Sequence, residues 1–151
     1  MITIGIRAAP RVVTFAIYDS ASKTVQNVEE IKIPVAFSIP ASLKYVRSNI
    51  LDVLREYDVE KAGVRVTEPS AQALKIERIQ IEGVIQEAFA SSSLTDYYVG
   101  QISSISARLG FDRTLFKPMV EGRNDLGIEN WDRMTKEGRE AILCAIGAAR
   151  D

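Results

Sequence analysis

Residues 2–7 of the chain are Ile2-Thr3-Ile4-Gly5-Ile6-Arg7, a run in which every second residue is isoleucine. This alternation is typical of a β-strand that buries one face. Two further runs follow a similar pattern, and their apolar residues are Val13, Phe15 and Ile17, then Val25, Val28, Ile31 and Ile33. Turn-forming residues at 8–11 and 19–22 separate the runs. The first third of the sequence therefore predicts a three-stranded antiparallel meander.

After Pro40 the apolar residues recur at three- and four-residue intervals, the period of an amphipathic helix. The predicted helices cover residues 42–57, 71–91 and 135–150, with a short amphipathic segment around 115–120 in an otherwise polar stretch, 103–123. The predicted strands cover residues 62–66 and 97–102. Strands separated by helices predict a parallel portion beside the meander. We therefore expect an α/β fold with a mixed five-stranded sheet, three antiparallel strands and then parallel ones, covered by helices on both faces in a single domain over residues 1–151.

The composition limits the chemistry that the chain can perform. Lys and Arg number 19 against 20 Asp and Glu, so a surface for nucleic acid must come from local segregation of charge. The sequence has no His and a single Cys, Cys144, which excludes a zinc site but leaves carboxylates able to hold magnesium. The unpaired cysteine and the absence of a signal-peptide pattern predict a cytoplasmic protein without a membrane partner.

Several motifs resemble those of the RuvC-type Holliday-junction resolvases, which have a ribonuclease-H-like fold. The family's first strand ends in Gly-Ile-Asp-Pro-Gly, and here the run Gly5-Ile6-Arg7-Ala8-Ala9 takes its place. A Glu that closes the strand after the first helix is matched by Glu68, which follows residues 62–66 and precedes Pro69. The next helix of the family resembles residues 72–76 and 83–85. Its last two acids stand three residues apart in an alanine-rich helix, as Glu137 and Glu140 do here.

The resemblance implies an active centre in which carboxylates hold two divalent ions roughly 3.5–4 Å apart. Glu68, Glu137 and Glu140 are the acids that would converge there, whereas Arg7 replaces the expected aspartate. A cation at this position repels a metal and offers a guanidinium that can pair with carboxylates. Our hypothesis is that Arg7 occupies the space of the metals, that no cofactor is bound and that hydrolysis has been lost. Taken singly, the two helix acids are also explained by the helix dipole.

A basic stretch provides the best candidate surface for nucleic acid. It contains Arg108, Arg113, Lys117 and Arg123, and it resembles the region beside the active centre of the resolvases. Acidic residues dilute the charge of this stretch, so a solvated surface is the competing interpretation. Because the resolvases are dimers, the mixed-charge face of the helix 71–91 would suit a homodimer.

The sequence supports three interpretations. The leading one is a RuvC-like protein without nuclease activity that binds branched or structured nucleic acid or acts in an assembly. The second is an active, magnesium-dependent nuclease that uses Glu68, Glu137 and Glu140 despite Arg7. The third is a protein-interaction scaffold with no role in nucleic-acid binding, which the near-neutral charge allows.

Overall fold

The computed structural model describes residues 1–150, whose strands form one mixed sheet in the order β3-β2-β1-β4-β5. The strands are β1 (Ile2–Ala8), β2 (Val12–Asp19), β3 (Thr24–Lys32), β4 (Lys61–Arg65) and β5 (Asp96–Gly100). The first three strands pair antiparallel, and β4 pairs parallel with both β1 and β5. The predicted meander followed by parallel strands is therefore confirmed. Asp151, the last residue of the predicted domain, lies outside the described residues.

Helices cover both faces of the sheet. They are α1 (Ile39–Glu56), α2 (Ile76–Ala90), α3 (Ile102–Leu109), α4 (Phe116–Val120) and α5 (Lys136–Ala149). On one face α1 and α2 bury a core that includes Ile4 and Ile6 of β1. On the other face α5 forms a second core with residues of α3 and α4. In the described part of the chain, none of these helices has both the length and the apolar character needed to span a bilayer.

The helix α5 lies directly on β1, and small residues make this possible. A Cβ atom at Gly5 would overlap backbone atoms of Ala141 and Ala145, so only glycine leaves room for the helix. Beside it, the Thr3 hydroxyl donates a hydrogen bond of 2.7 Å to the Ala145 carbonyl. Because side chains alternate along a strand, Arg7 faces α5 as Thr3 and Gly5 do. The packing therefore brings Arg7 beside the first turns of α5.

The structure corrects one of the predicted helices and adds another. The segment 71–75 is not helical, and α2 begins at Ile76. Leu74 is exposed, so this segment buries no apolar face that would hold an additional helical turn. The polar stretch 103–123 contains most of α3, a helix that we did not predict, and its apolar side consists of Ile102, Ile105 and Leu109. The short segment predicted around 115–120 corresponds to α4.

A β-bulge explains the irregular spacing of apolar residues in β3. The register between β2 and β3 shifts after the Ile17–Asn27 pair, so that Tyr18 lies opposite Val25. The extra residue returns Val25 and Val28 to the same face, where both pack against the core under α5. The strand was predicted correctly although its pattern was not strictly alternating.

Candidate functional site

Arg7 forms an ion pair with the last helix at the C-terminal end of β1. Its Nε lies 2.6 Å from Oε2 of Glu140, and the two side chains are only 13% and 15% exposed. The Nη1 of Arg7 also donates to the Arg65 carbonyl at 3.4 Å. The expected contact between Arg7 and an acid of α5 is therefore present. It joins the end of the first strand to the acids of the last helix.

A second arginine closes the neighbouring strand. In the parallel register of β1 and β4, Arg65 lies opposite Arg7. The Arg65 side chain is buried, donates to the Val66 carbonyl and to Oε2 of Glu68 at 2.8 Å, and lies over the ring of Phe116. Burial lowers the pKa of the Arg65 guanidinium, and the nearby charge of Arg7 lowers it further. Two like charges therefore stand side by side at adjacent strand ends.

The structure corrects the position assigned to Glu68. The strand β4 ends at Arg65, and one further bond, from the Val66 amide to the Gly100 carbonyl, continues its ladder. The chain then turns away because the amide and hydroxyl of Thr67 both donate to the buried Glu82 carboxylate, at 2.9 and 2.8 Å. Glu68 lies beyond this turn. The residue that closes the strand is thus Arg65 rather than the glutamate that the sequence indicated.

Glu68 is held away from the two acids of α5. Its Oε2 accepts from Arg65 at 2.8 Å and from the Ile102 amide at 3.1 Å, at the start of α3. Glu137 and Glu140, in contrast, line a cleft of about 390 Å³ together with Arg7 and Arg65. Among residues 1–150 no three acidic, His or Cys side chains are grouped so that they could hold a metal ion. The expected convergence of the three glutamates is therefore not found.

The residues of this cleft do not fit a divalent cation. Its lining includes five cationic side chains and three carboxylates, which are Arg7, Arg65, Arg78, Lys117 and Lys136, and Glu121, Glu137 and Glu140. Two of the carboxylates already have cationic partners, since Glu140 pairs with Arg7 and Glu121 pairs with Lys136 at 3.1 Å. A magnesium ion needs several oxygen ligands and would face a net positive lining. We therefore call this site the cationic cleft.

Two of the four predicted basic contact residues lie next to the cationic cleft. Lys117 lines it and also lines a second cleft, which contains Arg113 and Glu68. Arg113 and Lys117 are both exposed. Together the two clefts form a surface along the C-terminal ends of β1 and β4.

The other two basic residues have different partners. Arg108 stacks on the ring of Tyr98 at 3.9 Å and donates to the carbonyls of Gly147 and Arg150, at the far end of α5 from Glu140. It holds α3 against α5 and lies away from the cationic cleft. Arg123 is exposed and pairs with Asp125 at 2.6 Å, and it lines neither cleft.

Sequence reasoning did not identify three cationic residues of the cleft, namely Arg65, Arg78 and Lys136. A signal for Arg65 was present, because it is a charged residue inside the apolar run 62–66. The register that places it opposite Arg7 cannot be read from the sequence. Arg78 belongs to the first turn of α2, where its charge resembles that of any exposed helix residue.

No protein-family model matches the sequence, and none of the curated proteins compared with it matches either. Solved structures do match. A Thermus thermophilus RuvC in complex with a Holliday junction substrate is 14% identical, with a TM-score of 0.74, and the match covers 99% of this chain and 92% of that one. A second Thermus thermophilus RuvC structure is 16% identical, with the same TM-score, and covers 99% and 93%. The yeast mitochondrial Holliday junction resolvase is 8% identical, with a TM-score of 0.61, and covers 96% and 77%.

These likenesses define the fold of the chain, which is ribonuclease-H-like. Within that class it has the RuvC-type architecture, matched over nearly its whole length.

Proposed function

We propose that this chain is one RuvC-like domain that has no nuclease activity and that binds branched or structured nucleic acid. The observation that carries the proposal is the 2.6 Å ion pair between Arg7 and Glu140 at the end of β1. A carboxylate neutralised by a guanidinium is a poor ligand for a metal ion, and two-metal hydrolysis needs several free carboxylates. Nucleic-acid binding is supported by the basic surface of Arg113 and Lys117, which lies beside the ends of β1 and β4.

Cleavage is tested with four-way, single-stranded and duplex DNA in magnesium and in manganese. We expect no product from any substrate, because two of the three acids of the cleft are paired with cations. Product formation that Glu140→Gln abolishes would favour the second interpretation, an active nuclease that uses Glu68, Glu137 and Glu140. That interpretation requires Glu68 to leave Arg65 and the Ile102 amide before it can join the other two.

Binding is tested by fluorescence anisotropy of the same DNA substrates in EDTA. We expect binding that weakens between about 50 and 200 mM salt, since phosphate contacts release counterions. Lys117→Gln should weaken binding to every substrate and reduce the salt slope by about one. Lys44→Gln is the matched control, because Lys44 is an exposed lysine on α1, away from both clefts.

A specific observation also supports an assembly role. Six of the eight large apolar residues that are exposed in the described chain lie in two segments, around the start of α1 and around the start of α2, and they are Val35, Phe37, Ile39, Leu74, Ile76 and Ile79. A group of exposed apolar side chains of this size is typical of a surface that binds a partner protein. We propose a homodimer through α2, which sedimentation of the wild type and of Ile79→Lys would test. Absence of DNA binding even at low salt would favour the scaffold interpretation.

A further inference from the structure

The cationic cleft carries more positive charge than its own acids neutralise. Its five cationic side chains exceed its three carboxylates by two charges. Two of these cations, Arg7 and Arg65, lie opposite each other at the ends of the paired strands β1 and β4. Both of these arginines already have carboxylate partners, so the excess positive charge lies on Arg78 and Lys117, which make no ion pair within residues 1–150. The lining is therefore arranged for a negatively charged ligand.

Two guanidinium groups in this cleft have unused buried donors. The Nε of Arg65 is buried and has no hydrogen-bond partner among residues 1–150, although the other end of the side chain is bonded to Glu68 and Val66. The Nε of Arg78 is likewise buried and lacks a partner within the described residues. A buried donor without a partner destabilises the folded protein, and a ligand that accepts its hydrogen bond removes that cost. Arg65 as a whole is only 5% exposed, so bulk water reaches it poorly.

The arrangement of the N–H groups on these two arginines indicates which kind of anion would bind. A guanidinium presents a planar fork of N–H groups that matches the oxygens of a phosphate, and Arg65 and Arg78 supply two such forks from different elements, β4 and α2. The volume of the cleft, about 390 Å³, falls within the range of small-ligand sites. A carboxylate ligand would use the same donors, but the neighbouring basic surface of Arg113 and Lys117 suits a chain of phosphates.

We propose that the cationic cleft binds a phosphate group of a nucleic-acid backbone directly, through Arg65 and Arg78, without a divalent ion. The guanidinium groups of Arg65 and Arg78 would thus make the contact with phosphate that metal ions make in a two-metal nuclease. This inference deepens the proposed function and rests on it for the source of the phosphate.

The test is proton–nitrogen correlation NMR of the arginine Nε groups, recorded in EDTA. Signals are assigned with Arg65→Lys and Arg78→Lys. The probes are inorganic phosphate and a short single-stranded oligonucleotide, with chloride added to match ionic strength. We expect both probes to shift the Arg65 and Arg78 signals in a saturable manner. Arg78→Gln should weaken the affinity about tenfold or more, whereas Arg55→Gln, an exposed arginine of α1 paired with Asp52, should leave it unchanged.

The outcomes separate this inference from the proposed function. Oligonucleotide binding that leaves both Nε signals unmoved overturns the phosphate site but keeps the nucleic-acid role. Saturable shifts with phosphate and none with the oligonucleotide overturn the backbone as the source. Shifts that do not saturate overturn the direct guanidinium contact, and so do shifts that appear only when magnesium replaces EDTA in a second series. Arg78 is only half-buried, so Arg78→Gln is expected to fold, and the comparison of affinities does not depend on a variant of the buried Arg65, which serves only to assign its signal.

Discussion

Gly5 of β1 lies directly beneath Ala141 of α5, so close that a Cβ atom at Gly5 would overlap the Ala141 carbonyl oxygen. This contact sets the height of α5 above the sheet. It also sets the position of Glu140, the residue before Ala141, relative to Arg7, two residues beyond Gly5. The geometry of the cationic cleft therefore depends on a glycine that is not part of it.

Gly5→Ala should strongly destabilise the protein. The added methyl group meets backbone rather than a flexible side chain, so α5 must move away from the sheet. We expect a loss of about 3 kcal/mol or more in the free energy of unfolding, measured by urea denaturation. Gly83→Ala is the matched control, because a Cβ there meets no atom within 4 Å and a helical position favours alanine over glycine by about 0.5–1 kcal/mol. Equal effects of the two substitutions would contradict this account of the packing.

The main fold was predictable because its signals are local. Alternating isoleucines and turn residues define the meander, and the change to helical spacing after Pro40 defines the crossover to β4. The helix α3 was not predicted because only Ile102, Ile105 and Leu109 give it an apolar side, and its remaining residues include three serines. Serine favours caps and turns in an isolated sequence, and here tertiary packing under α5 overrides that preference.

Arg139 is a second buried arginine, and its role is structural. Its guanidinium donates to the carbonyls of Val120 and Trp131 at 2.9 Å and of Asp132 at 3.2 Å. It thus fastens the loop between α4 and α5 to the start of α5. Arg139→Met would leave three carbonyls without this donor and should cost about 2–4 kcal/mol of stability.

The control for this prediction is Arg133→Met, at an exposed arginine close in sequence. We expect it to change stability by less than about 0.5 kcal/mol. Thermal unfolding followed by circular dichroism measures both variants. A small effect of Arg139→Met would mean that water replaces the guanidinium at those carbonyls.

The candidate site was predicted only in part, because it depends on strand register. The sequence indicated Arg7 and the acids Glu137 and Glu140, which do share one cleft. It indicated Glu68 in place of Arg65, because Pro69 is a clear signal for the end of an extended segment. The hydrogen bonds of Thr67 to the buried Glu82 end the strand earlier, and such a long-range contact has no local signature.

Cys144 should make stability fall at alkaline pH. Burial raises the pKa of its thiol to about 11 from an ordinary value of 9.0. Between these pH values the unfolded chain releases a proton that the folded chain keeps, so the free energy of unfolding decreases as the pH rises. The expected decrease from this residue is roughly 2–3 kcal/mol. Urea denaturation at intervals from about pH 8 to about pH 11 measures it.

Cys144→Ala isolates this contribution. Burial also raises the pKa of Tyr98, which donates to the Cys144 carbonyl, so both proteins will lose some stability at high pH. The prediction concerns the difference between the wild type and Cys144→Ala in how the free energy of unfolding changes with pH. The variant should start lower because a buried sulfur has been removed, and it should then decline less steeply. Parallel curves would mean that the thiol does not resist ionisation in the folded protein.

Placing acids at the two strand ends should create a metal site in the cationic cleft. In the double variant Arg7→Asp, Arg65→Glu, the new carboxylates would lie opposite each other on β1 and β4. They would line the same cleft as Glu137 and Glu140. Without metal we expect lower stability, because two ion pairs are lost and acids crowd the cleft. Manganese at about ten times its dissociation constant should then stabilise the variant by about 1.4 kcal/mol, measured by thermal unfolding.

The control variant Arg7→Met, Arg65→Met removes the same two positive charges without adding oxygen ligands. If the arginines exclude metal only by occupying space and repelling charge, this control binds manganese as well as the acidic variant does. If ligand oxygens at the strand ends are also required, as the coordination of hard cations demands, only the acidic variant is stabilised. We expect the second result, and we expect the natural chain to show no response to manganese. A wild-type protein that manganese stabilises to the same extent would contradict the view that Arg7 and Arg65 replaced the metal ions.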